Sequence, residues 1–357
     1  MKILQVITSL STGGAEKLIS EIAPMLRDRG HEVDVCAFDG AETAFMQNLI
    51  DKGIKVYSFG KHCNVYNPLF IIKLTKLMKN YDIVHTHNTA PQLFAAIGSV
   101  LCSVVLCTTE HTTSNRRRDL KWYAPIDKWM YGRYRQIICI SDQAEENLKK
   151  YLGEDKFNIC TIYNGIDVER FAQAQPCAAL VKEKGQKKAV VMVAGFRYQK
   201  DQDTLIKAIS LLPKDDYELW LVGDGERREA LHNVVKDMAV EDRVKFLGLR
   251  NDIPNILKAA DIVVMSSHFE GLSLSNLEGM ASGKPFIASD VDGLHEIVAG
   301  HGLLFPHEDA PALAELIKRV SSDEALRERV VMACSAKAAQ YDIHIMVDKY
   351  NKIYESL

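Results

Sequence analysis

Two glutamates eight residues apart, Glu270 and Glu278, bracket the run Ser266-Ser-His-Phe-Glu-Gly-Leu-Ser-Leu-Ser-Asn-Leu-Glu278. An apolar strand, Ile262–Met265, leads into it, and a helix begins near Ser273. At such a start the N–H groups of Gly271, Leu272, Ser273 and Leu274 lack intrahelical acceptors and attract an anion, a diphosphate above all. Carboxylates beside a phosphate would repel it. They suit the place if each accepts hydrogen bonds from neutral hydroxyls, one set from a ribose and one from a transferred sugar. The same spacing also fits one capping glutamate and one solvated helix glutamate. A second turn, Ser11-Thr-Gly-Gly-Ala-Glu16, follows the first strand. Its glycines let backbone approach a phosphate or sugar, or simply make a tight strand-to-helix turn. The pattern is not G-x-G-x-x-G, and the second strand ends in nothing more acidic than Asp39, so nicotinamide binding has little support.

Other groups invite chemistry and are weighed against plainer roles. His85 and His87 stand at a strand end and are expected to face opposite ways, one buried and hydrogen-bonded, the other at a site. Asp201-Gln-Asp203 and Asp290-Val-Asp292 resemble metal–diphosphate triplets, but a chain with 25 aspartates produces such triplets by chance. No further ligands stand near either in sequence, so no metal is expected. Eight cysteines include no C-x-x-C pair and no zinc spacing, which suits reduced core thiols. Residues 115–135 carry seven basic against two acidic side chains, with five aromatics interleaved. That segment is either a solvated helix face over a packed aromatic underside or a patch for an anionic lipid surface, where each basic residue adds about 1 kcal/mol.

The elements that must position these groups are legible from length and periodicity. The 357 residues suggest two domains. A hydrophobic fraction of 47% and a charged fraction of 25% suit a globular chain and exclude disorder and coiled coil. A net charge of −3 is too balanced for a wholesale nucleic-acid binder. The N-terminal run reads as a strand rather than a signal peptide, and the apolar stretch Leu93 to Cys107 is shorter than the ~18 residues of a membrane span. Continuous apolar strands alternate with amphipathic helices in two successive sets, which predicts α/β architecture with parallel sheets covered on both faces. The linker is expected within 169–188. The first domain is then 1–169 and the second 170–340, with the helical tail 341–357 packing back on the first.

The segment EGLSLSNLEGMASGKPFIASDVDGLHEIV resembles the E-x7-E region of family-four retaining glycosyltransferases, which have the GT-B fold. Further matches follow in the family's order: GGAEK at Gly13–Lys17, DIVHTHN at Asp82–Asn88, TEH at Thr109–His111, NGID at Asn164–Asp167, KDQDTLIKAI at Lys200–Ile209, VGDGERREAL at Val222–Leu231 and VKFLGLRNDIP at Val244–Pro254. The resemblance implies two Rossmann-like doubly wound domains facing across a cleft. It places Glu278 on the ribose, Glu270 on the donor sugar, and the amides of 271–274 with Lys200 on the diphosphate. The base would rest near Leu249 and Arg250. His87 would lie by the sugar and leaving phosphate as a catalytic residue beside Glu270. Gly14 would line the donor's side of the cleft, with Gly13, His111, Arg116 and Arg117 on the acceptor side. The family's second diphosphate arginine falls at Gly195, leaving Arg197, two residues on, either to replace it or to point elsewhere. Gly279 stands where alanine is usual.

The implied reaction moves a hexosyl unit from a UDP- or GDP-linked sugar to an acceptor hydroxyl with retention, without metal or other cofactor. A glycan or lipid-linked acceptor, no nucleic acid, and a cytoplasmic place with peripheral inner-membrane contact through 115–135 complete the expectation. Two rivals are a non-hydrolysing nucleotide-sugar epimerase, which would turn over donor without acceptor, and a two-domain solute-binding protein, which would bind without turnover.

Overall fold

The computed structural model describes residues 1–11, 13–112, 118, 121–153 and 156–357. Thr12, Arg116 and Arg117 therefore lie outside the described residues, as does most of the basic run 113–120. The chain divides into two units, Met1–Asn164 with Ile343–Leu357, and Gly165–Asp342.

The first unit holds a seven-stranded parallel sheet of β1 (Lys2–Ser9), β2 (Glu32–Asp39), β3 (Lys55–Gly60), β4 (Ile83–His87), β5 (Val105–Glu110), β6 (Gln136–Cys139) and β7 (Ile159–Thr161). Its order is β3-β2-β1-β4-β5-β6-β7. Both faces are covered, so the strands read as unbroken apolar runs: Ile3, Leu4, Val6 and Ile7 are all buried. The helix Gly14–Asp28 lays Leu18, Ile19, Ile22 and Leu26 on one face of the sheet. The final helix, Ile343–Ser356, packs into the same cluster through Met346, Val347, Tyr350 and Tyr354.

The second unit holds a six-stranded parallel sheet of β8 (Lys188–Val193), β9 (Tyr217–Val222), β10 (Val244–Gly248), β11 (Ile262–Met265), β12 (Phe286–Asp290) and β13 (Leu303–Pro306), in the order β10-β9-β8-β11-β12-β13. In each sheet the strand order reverses once, between β1 and β4 and between β8 and β11. Crossovers on either side of that point go to opposite faces and leave a crevice beyond the carboxyl ends, where ligands of open α/β sheets bind.

The stretch 169–188 is not a linker. It forms the helices Val168–Ala172 and Ala178–Lys184, which bury Phe171 and Leu180 in the second unit. Both chain crossings lie elsewhere, side by side: Ile166 bridges Asp342, and its N–H donates to the Tyr341 carbonyl at 3.0 Å. Among the described residues no helix is long and apolar enough to cross a membrane.

Candidate functional site

At the carboxyl ends of β8 and β11 the second unit assembles a cation, a carboxylate and an open helix start. Gly223 adopts φ +141°, and a Cβ there would lie 2.1 Å from the Ala194 carbonyl oxygen; one on Gly225 would lie 2.5 Å from that of Phe196. The loops after β8 and β9 are thus pressed backbone to backbone, and only glycine permits it. This fixes the 3-10 turn Tyr198–Lys200. Ser266 Oγ then donates to the Asp201 carbonyl at 2.8 Å, and the His268 N–H to that of Gln199 at 2.8 Å, tying the loop after β11 to the same turn.

The result brings Lys200 onto Glu270. Lys200 Nζ pairs with Glu270 Oε1, and Ser267 Oγ donates to the same oxygen at 2.6 Å. Only 3% of the Glu270 side chain and 16% of that of Lys200 are exposed. From the other side Gly293 (φ +83°) presses on the Glu270 backbone: a Cβ there would sit 1.9 Å from the Glu270 carbonyl oxygen. A carboxylate gripped in this way has one oriented oxygen held by protein donors.

Directly beyond, the helix Leu274–Ala281 starts without a side-chain cap and without an acidic residue in its first turn. The N–H groups of its first turn lack intrahelical acceptors and make an anion-attracting end, but of the four amides singled out in sequence that of Ser273 is taken, donating to the Gly271 carbonyl at 2.8 Å. Glu278 is buried one turn along. Gly279 lets the helix lie against the sheet, since a Cβ would meet the Phe286 ring at 2.6 Å and Val263 at 3.0 Å. Asn276 was missed in sequence: it is fully buried, and among the described residues neither its side-chain nitrogen nor its oxygen has a hydrogen-bond partner. Nothing in a Ser-Asn-Leu string distinguishes a buried amide from a solvated one.

Arg197 is exposed, and its Nε lies 3.9 Å from where a Cβ on Gly195 would begin. Its guanidinium therefore passes over the position that the resemblance expects to carry arginine. Arg250 is committed: Nε and Nη2 grip Asp252 at 2.7 and 2.6 Å, and that hydrogen bonding raises its pKa further. The aspartate triplets disperse. Asp203 takes a bidentate grip from Arg227 at 2.7 and 3.0 Å, and Asp290 binds His295 at 2.5 Å.

In the first unit, Gly13 is an extended N-cap (φ −179°) to the helix that begins at Gly14. The two histidines do not face opposite ways. Residues two apart on a strand share a face, and the His85 and His87 rings stack with centroids 4.4 Å apart. His87 Nε2 meets Gln5 Oε1 at 2.8 Å, which must accept, so the proton is on Nε2 and Nδ1 accepts from His111 Nε2 at 2.8 Å. His87 is fully buried with both ring nitrogens engaged by protein. His111 is only partly buried, and among the described residues no hydrogen bond reaches its Nδ1. Burial, reinforced by the neighbouring rings, drives the pKa of His87 well below the usual histidine value; burial takes His111 to about 4. Both are neutral near pH 7.

The aromatic–basic segment is divided by the fold. Arg118 does not face outward: it is largely covered and pairs with Glu110 at 2.8 Å, whose other oxygen accepts from Tyr131 OH at 2.7 Å. Tyr131 and Tyr134 are core residues, whereas Trp122, Ile126 and Trp129 are exposed. A cavity of about 850 Å³ borders Trp129, lined by Lys128, Arg133, Arg135 and Lys156. It opens at the amino ends of β6 and β7, opposite the edge that carries His87 and His111.

The sequence profile described as Glycosyltransferase Family 4 matches residues 12–170, and that of Glycosyl transferases group 1 matches residues 179–334. A relative from Escherichia coli, UDP-Gal:alpha-D-GlcNAc-diphosphoundecaprenol alpha-1,3-galactosyltransferase, is 32% identical over 308 residues, 80% of this chain and 78% of that protein. The chain belongs to the group 1 glycosyltransferases. This glycosyltransferase is also 26% identical to the phosphatidyl-myo-inositol mannosyltransferase of Mycolicibacterium smegmatis, over 97% of its own length and 90% of the relative's. The crystal structure of Anabaena Alr3699/HepE in complex with UDP-glucose superposes with a TM-score of 0.85 at 25% identity, covering both chains fully. The fold of the glycosyltransferase is accordingly GT-B, two parallel α/β sheets with flanking helices.

Proposed function

We propose that the enzyme transfers a hexosyl unit from UDP-hexose to a hydroxyl of a lipid-linked acceptor, with retention of configuration. The observation that carries the reading is the partly buried Lys200 paired with the covered Glu270 carboxylate beside the uncapped start of the helix Leu274–Ala281. The helix amides and Lys200 take the diphosphate and its leaving charge, which is where preorganised donors are worth most. Arg197 supplies the second cation in place of Gly195. Glu278 accepts from the ribose and Glu270 from the sugar. Uridine rests against Leu249, with Arg250 bracing that loop through Asp252. The UDP-linked relatives support the choice of base.

On the acceptor side, His111 contacts the reactants and His87, held by Gln5, positions it. Lipid contact comes from Trp122, Ile126 and Trp129, with Lys128, Arg133 and Arg135 meeting anionic headgroups. Relatives named for undecaprenol-linked and phosphatidylinositol acceptors support this orientation.

The test is a thermal-shift comparison of UDP, GDP and ADP followed by transfer assays. UDP at a hundredfold excess over Kd adds about 2.7 kcal/mol of stability. Lys200→Ala should lower kcat by about 10²–10³, Glu278→Ala should weaken UDP binding, and Glu270→Ala should mainly slow turnover. Wild-type kinetics in all three variants would overturn the assignment. Vesicles of anionic lipid should sediment the wild type and leave a Trp122→Glu/Trp129→Glu variant in the supernatant; equal sedimentation removes the lipid surface.

A further inference from the structure

We propose that Asp201, His268 and His307 bind one divalent transition-metal ion, Zn²⁺ by preference, with Glu308 as a fourth ligand. The four residues come from three loops at the carboxyl ends of β8, β11 and β13. One donor atom from each of Asp201, His268 and His307 lies within 4.8 Å of the others. An ion takes one nitrogen of His268: Nδ1 is 2.7 Å from His307 Nε2 and 3.4 Å from Glu308 Oε1, while Nε2 is the one 4.0 Å from Asp201 Oδ1, so the ring must turn for all four residues to meet one ion. Neighbouring ligand atoms around a tetrahedral ion at 2.0–2.2 Å stand about 3.3 Å apart. The shorter contact must open and the longer ones close, and the exposed His307 is free to turn.

A second observation points the same way. Asp201 is 3% exposed; its Oδ1 caps the helix Gln202–Ser210 through Thr204, while its Oδ2 is buried with no hydrogen-bond partner among the described residues. A buried carboxylate oxygen without a donor is costly, and a cation would satisfy it. Two imidazoles with carboxylates match Zn²⁺, Co²⁺ and their neighbours rather than the all-oxygen sites of Mg²⁺ and Ca²⁺. None of the four ligands is a residue assigned to the donor, so the site stands whether or not the donor reading does. Occupancy would tie the turn that carries Lys200 to the loop that carries Glu270.

Tag-free protein, dialysed against chelator and then against metal-free buffer, is titrated with Zn²⁺ by calorimetry and with Co²⁺ by visible absorption. The expected result is one ion per chain with the d–d bands of tetrahedral Co²⁺. His307→Ala, a change at an exposed residue, and Asp201→Asn, which keeps a capping oxygen, should each weaken binding at least tenfold, since even supporting residues cost that much. Circular dichroism checks that both variants are folded. The absence of saturable binding, or an unchanged affinity in folded His307→Ala, overturns the proposal.

Discussion

Acidification should weaken the first unit through its buried histidines, and His85 gives the sharpest case. Its Nδ1 accepts from Tyr354 OH at 2.5 Å, and its Nε2 donates to Thr109 Oγ1 at 2.8 Å. Gln5 Nε2 donates to the same tyrosine oxygen at 3.1 Å. A proton on Nδ1 would face a hydroxyl already receiving a donor, inside a site with no water-exposed surface. Burial takes the His85 pKa down to about 3, against 6.5 in a free chain. The unfolded chain therefore takes up a proton below 6.5 that the fold refuses until about 3. Stability from this group is complete above pH 6.5 and is lost as the pH falls through that window. Between pH 7 and 5 the loss is about 2 kcal/mol, roughly a thirtyfold change in the unfolded-to-folded ratio. Urea titrations at the two pH values, read from Trp122 and Trp129 in a Trp220→Phe background, measure it. His85→Gln keeps an acceptor for Tyr354 and a donor for Thr109 but cannot titrate. Its pH dependence should be shallower than that of the parent by about 2 kcal/mol over the same interval. Parallel curves for the two proteins would refute the reasoning.

Gly279→Ala restores the residue usual in the family, yet here its Cβ meets the buried Phe286 ring at 2.6 Å. Overpacking of about 1–3 kcal/mol should outweigh a helix-propensity gain of about 1 kcal/mol, and Phe286→Leu should recover the loss; calorimetric stabilisation of Gly279→Ala alone would show that the ring yields. Gly293→Ala combines a φ of +83° with a Cβ 1.9 Å from the Glu270 carbonyl oxygen. It should cost at least about 1 kcal/mol and lower kcat by displacing Glu270, and an unchanged Tm and kcat would show that this packing does not set the carboxylate.

The α/β class and most of the strands were legible because strands covered on both faces must be apolar throughout, and helices between them must carry one apolar stripe. Leu303–Pro306 is not legible in sequence because four residues ending in proline carry no periodicity; pairing in register with Ile287–Asp290 of β12 makes them a strand. Glu270, the 271–274 amides and Glu278 were legible as a motif, since a strand, a turn and a helix start follow one another along the chain, whereas Lys200 came only with the family resemblance. What only tertiary structure decided is which groups meet. Lys200 reaches Glu270 across 70 residues because β8 and β11 are neighbours at the reversal of strand order. Arg118 sinks onto Glu110, Asp203 goes to Arg227, and His87 is sealed between Gln5 and His111, none of which follows from local spacing. Local pattern reports which face a residue occupies; burial and partner choice depend on strand order, which brings distant loops to one edge.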